Sequence, residues 1–273
     1  MTFLEMLAEG TKRNNSLLCV GLDPDLDKLP VHLHGPNRVF DFCREIIDAT
    51  AGYVCAFKPN SAFFEAGGKD GIEQLKKTCD YIKNNHPLIP IILDYKRADI
   101  DNTNSGYVKL AFDYIGADAV TVNPYLGGAA LAPFLERSDK GIIILCRTSN
   151  SSSGEFQDLK IGGKKLYEIV AEKVRDEWNG NKNCLLVAGA TYPAELAKLR
   201  KMMGDEFVFL VPGLGAQGGD MEKTVKAGIN SSKQGLIINS SRGIIFASSG
   251  KDFAEAAQAE ARRARDGINK FRN

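Results

Sequence analysis

Residues 91–103 read IILDYKRADIDNT, an apolar run that ends abruptly in charge and then in helix-starting residues. Ile91, Ile92 and Leu93 predict a buried strand, in which successive side chains point to opposite faces, so Asp94 and Lys96 share one face. Asp99 follows where the strand gives way to a helix, and Asp101 is placed as the N-cap of that helix. Three charged groups of alternating sign therefore converge at one strand end. Such a cluster marks a functional site when it lies in a cleft, and a structural ion network when it does not.

Working outward, the same apolar unit recurs at residues 17–22, 53–57, 89–93, 119–122, 141–145, 184–187, 207–211 and 236–238. Segments of helical periodicity lie between most of these runs, among them 39–49, 72–83, 165–178 and 193–203. Strand and helix alternating eight times predict an α/β chain folded as a (β/α)8 TIM barrel with eight parallel strands. Continuous apolar runs suit a parallel sheet covered on both faces. An open doubly wound sheet is the competing architecture. No Pro/Ser-rich linker, low-complexity tract or short repeat interrupts the pattern, so residues 1–273 are expected to form a single barrel domain. Residues 251–273 predict a closing amphipathic helix with Phe253, Ala257 and Ala261 on its apolar side.

Composition narrows the partners. A chain of 273 residues with 44% hydrophobic and 25% charged residues can bury a large core, and its formal net charge of +1 gives no reason to expect nucleic acid or an anionic membrane. Any anion must be recognised locally. The first fifteen residues, MTFLEMLAEGTKRNN, are too polar for a signal peptide, and no apolar run approaches the roughly 20 residues that span a bilayer. A cytoplasmic location is expected. Six cysteines without a CxxC pair read as small buried hydrophobes. His32, His34 and His86 lie in Pro-containing connections far from the charged strand end, which leaves a metal site or a histidine base with little support.

In a barrel of this kind the site forms at the C-terminal ends of the strands. The polar residues collect there. The first strand ends in Gly21-Leu22-Asp23-Pro24, the second in Phe57-Lys58-Pro59-Asn60, the fourth in Val122-Asn123-Pro124 and the fifth in Cys146-Arg147-Thr148-Ser149-Asn150. After the seventh comes Pro212-Gly213-Leu214-Gly215-Ala216-Gln217-Gly218-Gly219-Asp220, and after the eighth Asn239-Ser240-Ser241-Arg242-Gly243. Gly-rich backbone with an arginine nearby suits a phosphate dianion, and the loops after strands seven and eight are where such barrels hold one. Lys58 and Lys96 each follow an apolar strand and each fits a Schiff-base lysine. The flanking acids argue instead for an ammonium at Lys96, a proton donor. Arg97 and Arg147 read as solvated or structural.

Asp94-Tyr95-Lys96-Arg97-Ala98-Asp99-Ile100 resembles the Asp-x-Lys-x-x-Asp-Ile signature of the orotidine 5'-phosphate decarboxylases. The motifs at Gly21–Asp23, Phe57–Asn60, Pro212–Gly219 and Ser240–Gly243 match the same family in order along the chain. The length and the Arg147–Asn150 stretch resemble its longer bacterial, type 2 branch. The resemblance implies decarboxylation of orotidine 5'-monophosphate to uridine 5'-monophosphate, the last step of de novo pyrimidine synthesis, with no metal or organic cofactor. It also implies an alternating array of Lys58, Asp94, Lys96 and Asp99, in which Lys96 stabilises a carbanion at pyrimidine C6 and protonates it. Asp94 would hold Lys96 and crowd the substrate carboxylate.

By the same resemblance the protein is a homodimer with shared active sites, Asp99, Ile100 and Thr103 serving the partner's site. Asp23, Lys58 and Asn60 would contact the ribose, Ser149 with Thr148 the pyrimidine edge, and Gln217 and Arg242 the phosphate, with Pro212 also against substrate. Gln217 lies on a loop implied to close as a lid. Two other readings share the barrel. A Mg-dependent sugar-phosphate lyase or synthase of the same superfamily would need further carboxylates, where the second strand instead ends in Lys58 and Asn60. A barrel that only binds a phosphorylated nucleotide would leave the charged array as a structural network.

Overall fold

The structure, a computed structural model, describes residues 1–214 and 219–272. Its barrel strands are Leu18–Leu22 (β1), Ala56–Pro59 (β2), Ile92–Arg97 (β3), Ala119–Val122 (β4), Gly141–Arg147 (β5), Cys184–Ala188 (β6), Phe209–Val211 (β7) and Leu236–Ser240 (β8). All their pairings are parallel, in the order β2-β1-β8-β7-β6-β5-β4-β3. The two ends of that order meet through bridges between Phe57 and Ile91 and between Asn60 and Asp94. The sheet is thereby closed, as a (β/α)8 barrel requires and a doubly wound sheet forbids.

The pleat explains why the strands read as continuous apolar runs. One residue per turn of the pleat faces inward: Cys19, Ala56, Ile92, Ala119, Ile143, Leu185, Leu210 and Ile237 share one buried cluster. Phe3 and Leu7, from the helix Phe3–Asn14, join it and plug one end of the barrel. Alternate residues such as Leu18, Val20, Ile142 and Ile144 face the helical layer and share a second cluster with it. That layer includes Arg38–Thr50, Gly68–Asn85, Asp101–Val108, Gly128–Leu135, Leu166–Lys173, Pro193–Met203, Met221–Gly228 and the closing helix Phe253–Arg272. Phe253, Ala257 and Ala261 of the closing helix are buried, and Phe253 stacks on Phe42 at 5.3 Å between ring centroids.

Local boundaries differ from the sequence reading where charge or turns intervene. The expected run 53–57 becomes a strand only at Ala56, because Ala51–Tyr53 form a 3-10 turn. β3 reaches Arg97, well past its apolar run, since Asp94 and Lys96 find ionic partners inside the barrel mouth. Asp101 is the first residue of its helix, and the N-cap position belongs to Ile100, without a side-chain cap. Asn104 instead ties the residues before the helix to it: its Oδ1 accepts from the Asp99 amide at 2.8 Å. The six cysteines are free and buried. Among the described residues, no helix is long and apolar enough to cross a membrane.

Candidate active site

The ladder between β3 and β4 pairs Leu93 with Val120 and then slips, so that the next pair is Arg97 with Val122. The slip is a bulge, which re-aims side chains at a strand end. Within it Lys96 adopts a left-handed backbone, φ 49°, a conformation that non-glycine residues reach at some energetic cost. The amides of Tyr95 and Lys96 consequently donate to the Thr121 hydroxyl, at 2.8 and 2.9 Å.

Asp94 sits at the centre of the resulting network. Its Oδ2 accepts from Lys58 Nζ at 2.6 Å. Its Oδ1 accepts from the Thr121 hydroxyl at 2.9 Å and from Lys96 Nζ. The Lys58 and Asp94 side chains are 4% and 9% exposed, whereas that of Lys96 is 50% exposed. Burial alone would push the Asp94 carboxyl up, but the charges of Lys58 and Lys96 outweigh it and hold the group well below the usual carboxylate range. Burial likewise opposes the Lys58 ammonium, yet the charges of Asp94 and Asp23 hold it above the ordinary lysine value. The array is therefore one buried, permanently charged pair with a third charge, Lys96, reaching into open space.

That space is a cleft of about 470 Å³ at the C-terminal ends of the strands, the size of a nucleotide-scale ligand site. Its floor carries Lys58, Asp94, Lys96 and Thr121, and its apolar wall Leu145, Val187 and Leu210. Asp23 and Asn60 stand on one side, Thr148, Ser149 and Asn150 on another, and Pro212, Gly213, Asn239, Ser241 and Arg242 complete the rim. Asp23 Oδ1 and Asn239 Oδ1 are buried and lack hydrogen-bond partners among the described residues. Asn60 Oδ1 accepts from the Ala62 amide at 3.2 Å and so caps the helix Ser61–Glu65. Gly21 is a packing requirement: a Cβ there would stand 1.8 Å from Ser241 Oγ.

The loop after β5 is braced from behind. Gln157 accepts from the Thr148 amide at 2.9 Å and donates to its hydroxyl at 2.8 Å. Thr148 in turn donates to Asn150 Oδ1 at 2.7 Å. Arg147 is buried behind this loop, bonded to Ser153 and, at 3.2 Å, to Asp158, with its guanidinium 3.7 Å from the Tyr192 ring centre. Arg97 pairs with Glu65 and lies over the Tyr95 ring. Both arginines hold structure.

Nine of the residues expected at the site, Asp23, Lys58, Asn60, Asp94, Lys96, Thr148, Ser149, Pro212 and Arg242, thus line one cleft. Asp99, Ile100 and Thr103 are not among its lining residues; they lie at the start of the following helix, with Ile100 exposed. Gln217 lies outside the described residues. Thr121 and Gln157 line the cleft without having been expected there, and Asn239 and Ser241, expected at that strand end but given no role, line it too. Thr121 is the one polar residue of the run 119–122, but threonine is a common strand former and its hydroxyl carries no signal in sequence.

Residues 16–258 match the Orotidine 5'-phosphate decarboxylase / HUMPS family. The orotidine 5'-phosphate decarboxylase of Azoarcus sp. (strain BH72) is 50% identical over 273 residues, the whole of both chains. That of Ralstonia pickettii (strain 12J) is 50% identical over 274 residues, again covering both chains fully. Among solved structures, Leishmania donovani OMP decarboxylase superposes with a TM-score of 0.86 at 37% identity, covering 100% of this chain and 99% of its own. A closed barrel with a Lys-Asp-Lys floor, matched across its full length by such relatives, belongs to the orotidine 5'-phosphate decarboxylase family.

Proposed function

We propose that the chain converts orotidine 5'-monophosphate to uridine 5'-monophosphate and CO2 with no metal or organic cofactor, as a carboxy-lyase of pyrimidine biosynthesis. The observation that carries this reading is the Lys96 ammonium, held on a buried Asp94 carboxylate and exposed to the cleft. When the bond from C6 to the carboxylate breaks, its electron pair stays on C6 and CO2 departs. Lys96 stabilises that charge and then gives C6 a proton; water returns a proton to the amine afterwards. Lys58 keeps Asp94 ionised, and Asp94 keeps Lys96 in place while crowding the substrate carboxylate. The wall of Leu145, Val187 and Leu210 excludes water and strengthens each of these interactions.

In this reading Asp23, Lys58 and Asn60, which line the cleft together, take the ribose. Ser149 and Thr148 meet the pyrimidine edge, while Arg242, with Gln217, takes the phosphate and Pro212 packs on the ligand. Residues 1–273 act as one barrel domain, in the cytoplasm. The direct test is the fall in ultraviolet absorbance of orotidine 5'-monophosphate on adding purified protein with excess EDTA. Rapid conversion supports a metal-free decarboxylase. No conversion, with Mg2+-stimulated activity on a ribulose phosphate, overturns it in favour of sugar-phosphate chemistry; binding without any turnover leaves a nucleotide-binding barrel.

Two predictions arise here. Arg242→Ala weakens binding of the phosphorylated ligand by on the order of 100-fold and that of the bare nucleoside hardly at all, because a charge-assisted contact to a dianion is lost. Equal losses for both ligands in calorimetry would take Arg242 out of the phosphate site. The second concerns Asp99, Ile100 and Thr103, which do not line the cleft of their own chain. They are read as completing the cleft of a partner in a homodimer. Asp99→Ala and Lys96→Ala are each inactive alone, but co-expressed they recover about one quarter of full activity, since half the dimers are mixed and each holds one intact site. No recovery in isolated mixed dimers means that Asp99 serves its own chain or none.

A further inference from the structure

A hydroxyl offers one proton and two lone pairs. At Thr121 all three are committed: the oxygen accepts from the Tyr95 and Lys96 amides at 2.8 and 2.9 Å and donates to Asp94 Oδ1 at 2.9 Å. Because both lone pairs face N–H groups, the proton must point at the carboxylate. The side chain is 1% exposed, at the cleft floor. In a regular ladder consecutive amides point to opposite neighbouring strands; in the slip between Leu93 and Arg97 both turn to the β4 side, and the Thr121 hydroxyl takes the two together.

We propose that Thr121 is a positioning residue for proton delivery by Lys96, one hydroxyl fixing both the Asp94 carboxylate and the left-handed backbone from which Lys96 projects. A non-glycine residue stays at φ 49° only where its surroundings over-determine it. Without the hydroxyl, two amides in the barrel wall lose their acceptor. The nearest relief is for the Lys96 backbone to leave φ 49°, which shifts the direction in which its side chain projects and so moves the ammonium relative to Asp94 Oδ1. Asp94 keeps Lys58 but loses the donor that sets the direction of Oδ1, the oxygen that holds Lys96. Thr121 touches no reacting atom in this scheme and acts through its two neighbours.

The kinetic arm rests on the decarboxylase reading. Thr121→Val removes the hydroxyl and keeps the shape, whereas Thr121→Ser keeps the hydroxyl. The expected result is a fall in kcat of about 10- to 100-fold for Thr121→Val, the loss of a hydrogen bond to a charged group, with KM changed by less than about threefold. Thr121→Ser recovers most of the rate. Equal impairment of the two variants would mean that retaining the hydroxyl retains nothing, and a loss confined to KM would assign the effect to substrate contact; either overturns the proposal. If Thr121→Val does not fold, Thr121→Cys, a weak donor of similar size, takes its place and must show the same split against Thr121→Ser. If the unaltered protein fails to turn over orotidine 5'-monophosphate, the decarboxylase reading falls separately. The hub is then decided by the crystal structure of Thr121→Val, where an unchanged Lys96 backbone and an unchanged contact to Asp94 overturn it.

Discussion

Lys96→Ala abolishes decarboxylation, with kcat lowered by on the order of 10⁴-fold or more, while the barrel melts within a few degrees of the unaltered protein. The two halves of this expectation come from different parts of the geometry. Lys96 is asked for two services, stabilising negative charge at C6 and supplying the proton, and each alone is typically worth a factor of about 10² to 10⁴. The alanine supplies neither, and a water cannot replace it without the ammonium charge. Stability is nearly untouched because the Lys96 side chain is half exposed and half-exposed ion pairs contribute about 1 kcal/mol or less. Asp94 also retains Lys58 and Thr121. Steady-state kinetics beside a thermal melt decide it. A variant within tenfold of full activity would remove Lys96 from the chemistry and leave the array as a structural network.

The barrel was legible in the sequence because its two signals are redundant. Eight apolar runs, nearly all of them buried on both faces, alternated with helices, and most ended in polar residues or a Gly-rich turn at the same end, so an error of two or three residues at Tyr53 or Ile89 left the count and direction intact. The cleft was legible for a related reason: Asp23, Lys58 and Asp94 are charged residues immediately after apolar runs, where charge is costly without a purpose, and Arg242 follows the eighth run by four positions. What lay beyond reach depended on the ladder register. Period-2 alternation placed Asp94 and Lys96 on one face, and they do meet, but through a bulge and a positive φ that alternation does not contain. The hydroxyl that supports this bulge comes from Thr121, a residue indistinguishable in sequence from any strand threonine. Asp101 was misplaced by one position: its residue type suits a cap, but the helix already includes it and Ile100 takes the cap position without a side-chain bond.

Lys58→Met destabilises the fold by about 3–5 kcal/mol at neutral pH, the typical penalty for removing one partner of a buried ion pair. Methionine nearly fills the volume of the lysine stem, so the loss reports charge and not a cavity. Its pH dependence has a definite sign. In the unaltered protein Asp94 lies below its ordinary value of 3.8, so its contribution is fully present above that pH and is lost as pH falls toward the folded value. Lys58 lies above its ordinary 10.5, so its contribution is present below that pH and is lost only as pH rises through the folded value. Between about pH 5 and pH 9 the pair therefore contributes a constant amount, and its stability curve is flat there. In Lys58→Met, burial pushes the Asp94 carboxyl up with only Lys96 and Thr121 to oppose it. Stability of the variant then falls as pH rises, because ionising Asp94 strands a buried charge, and its deficit against the unaltered protein is smallest in mild acid. Urea titrations at several pH values between 5 and 8 measure this directly. Parallel curves, or a deficit below about 1 kcal/mol, would mean that Asp94 is held ionised by Lys96 and Thr121 without Lys58. Lys58 would then be free for substrate alone, and the same residue could not also be the counter-charge that keeps the proton-delivery network fixed.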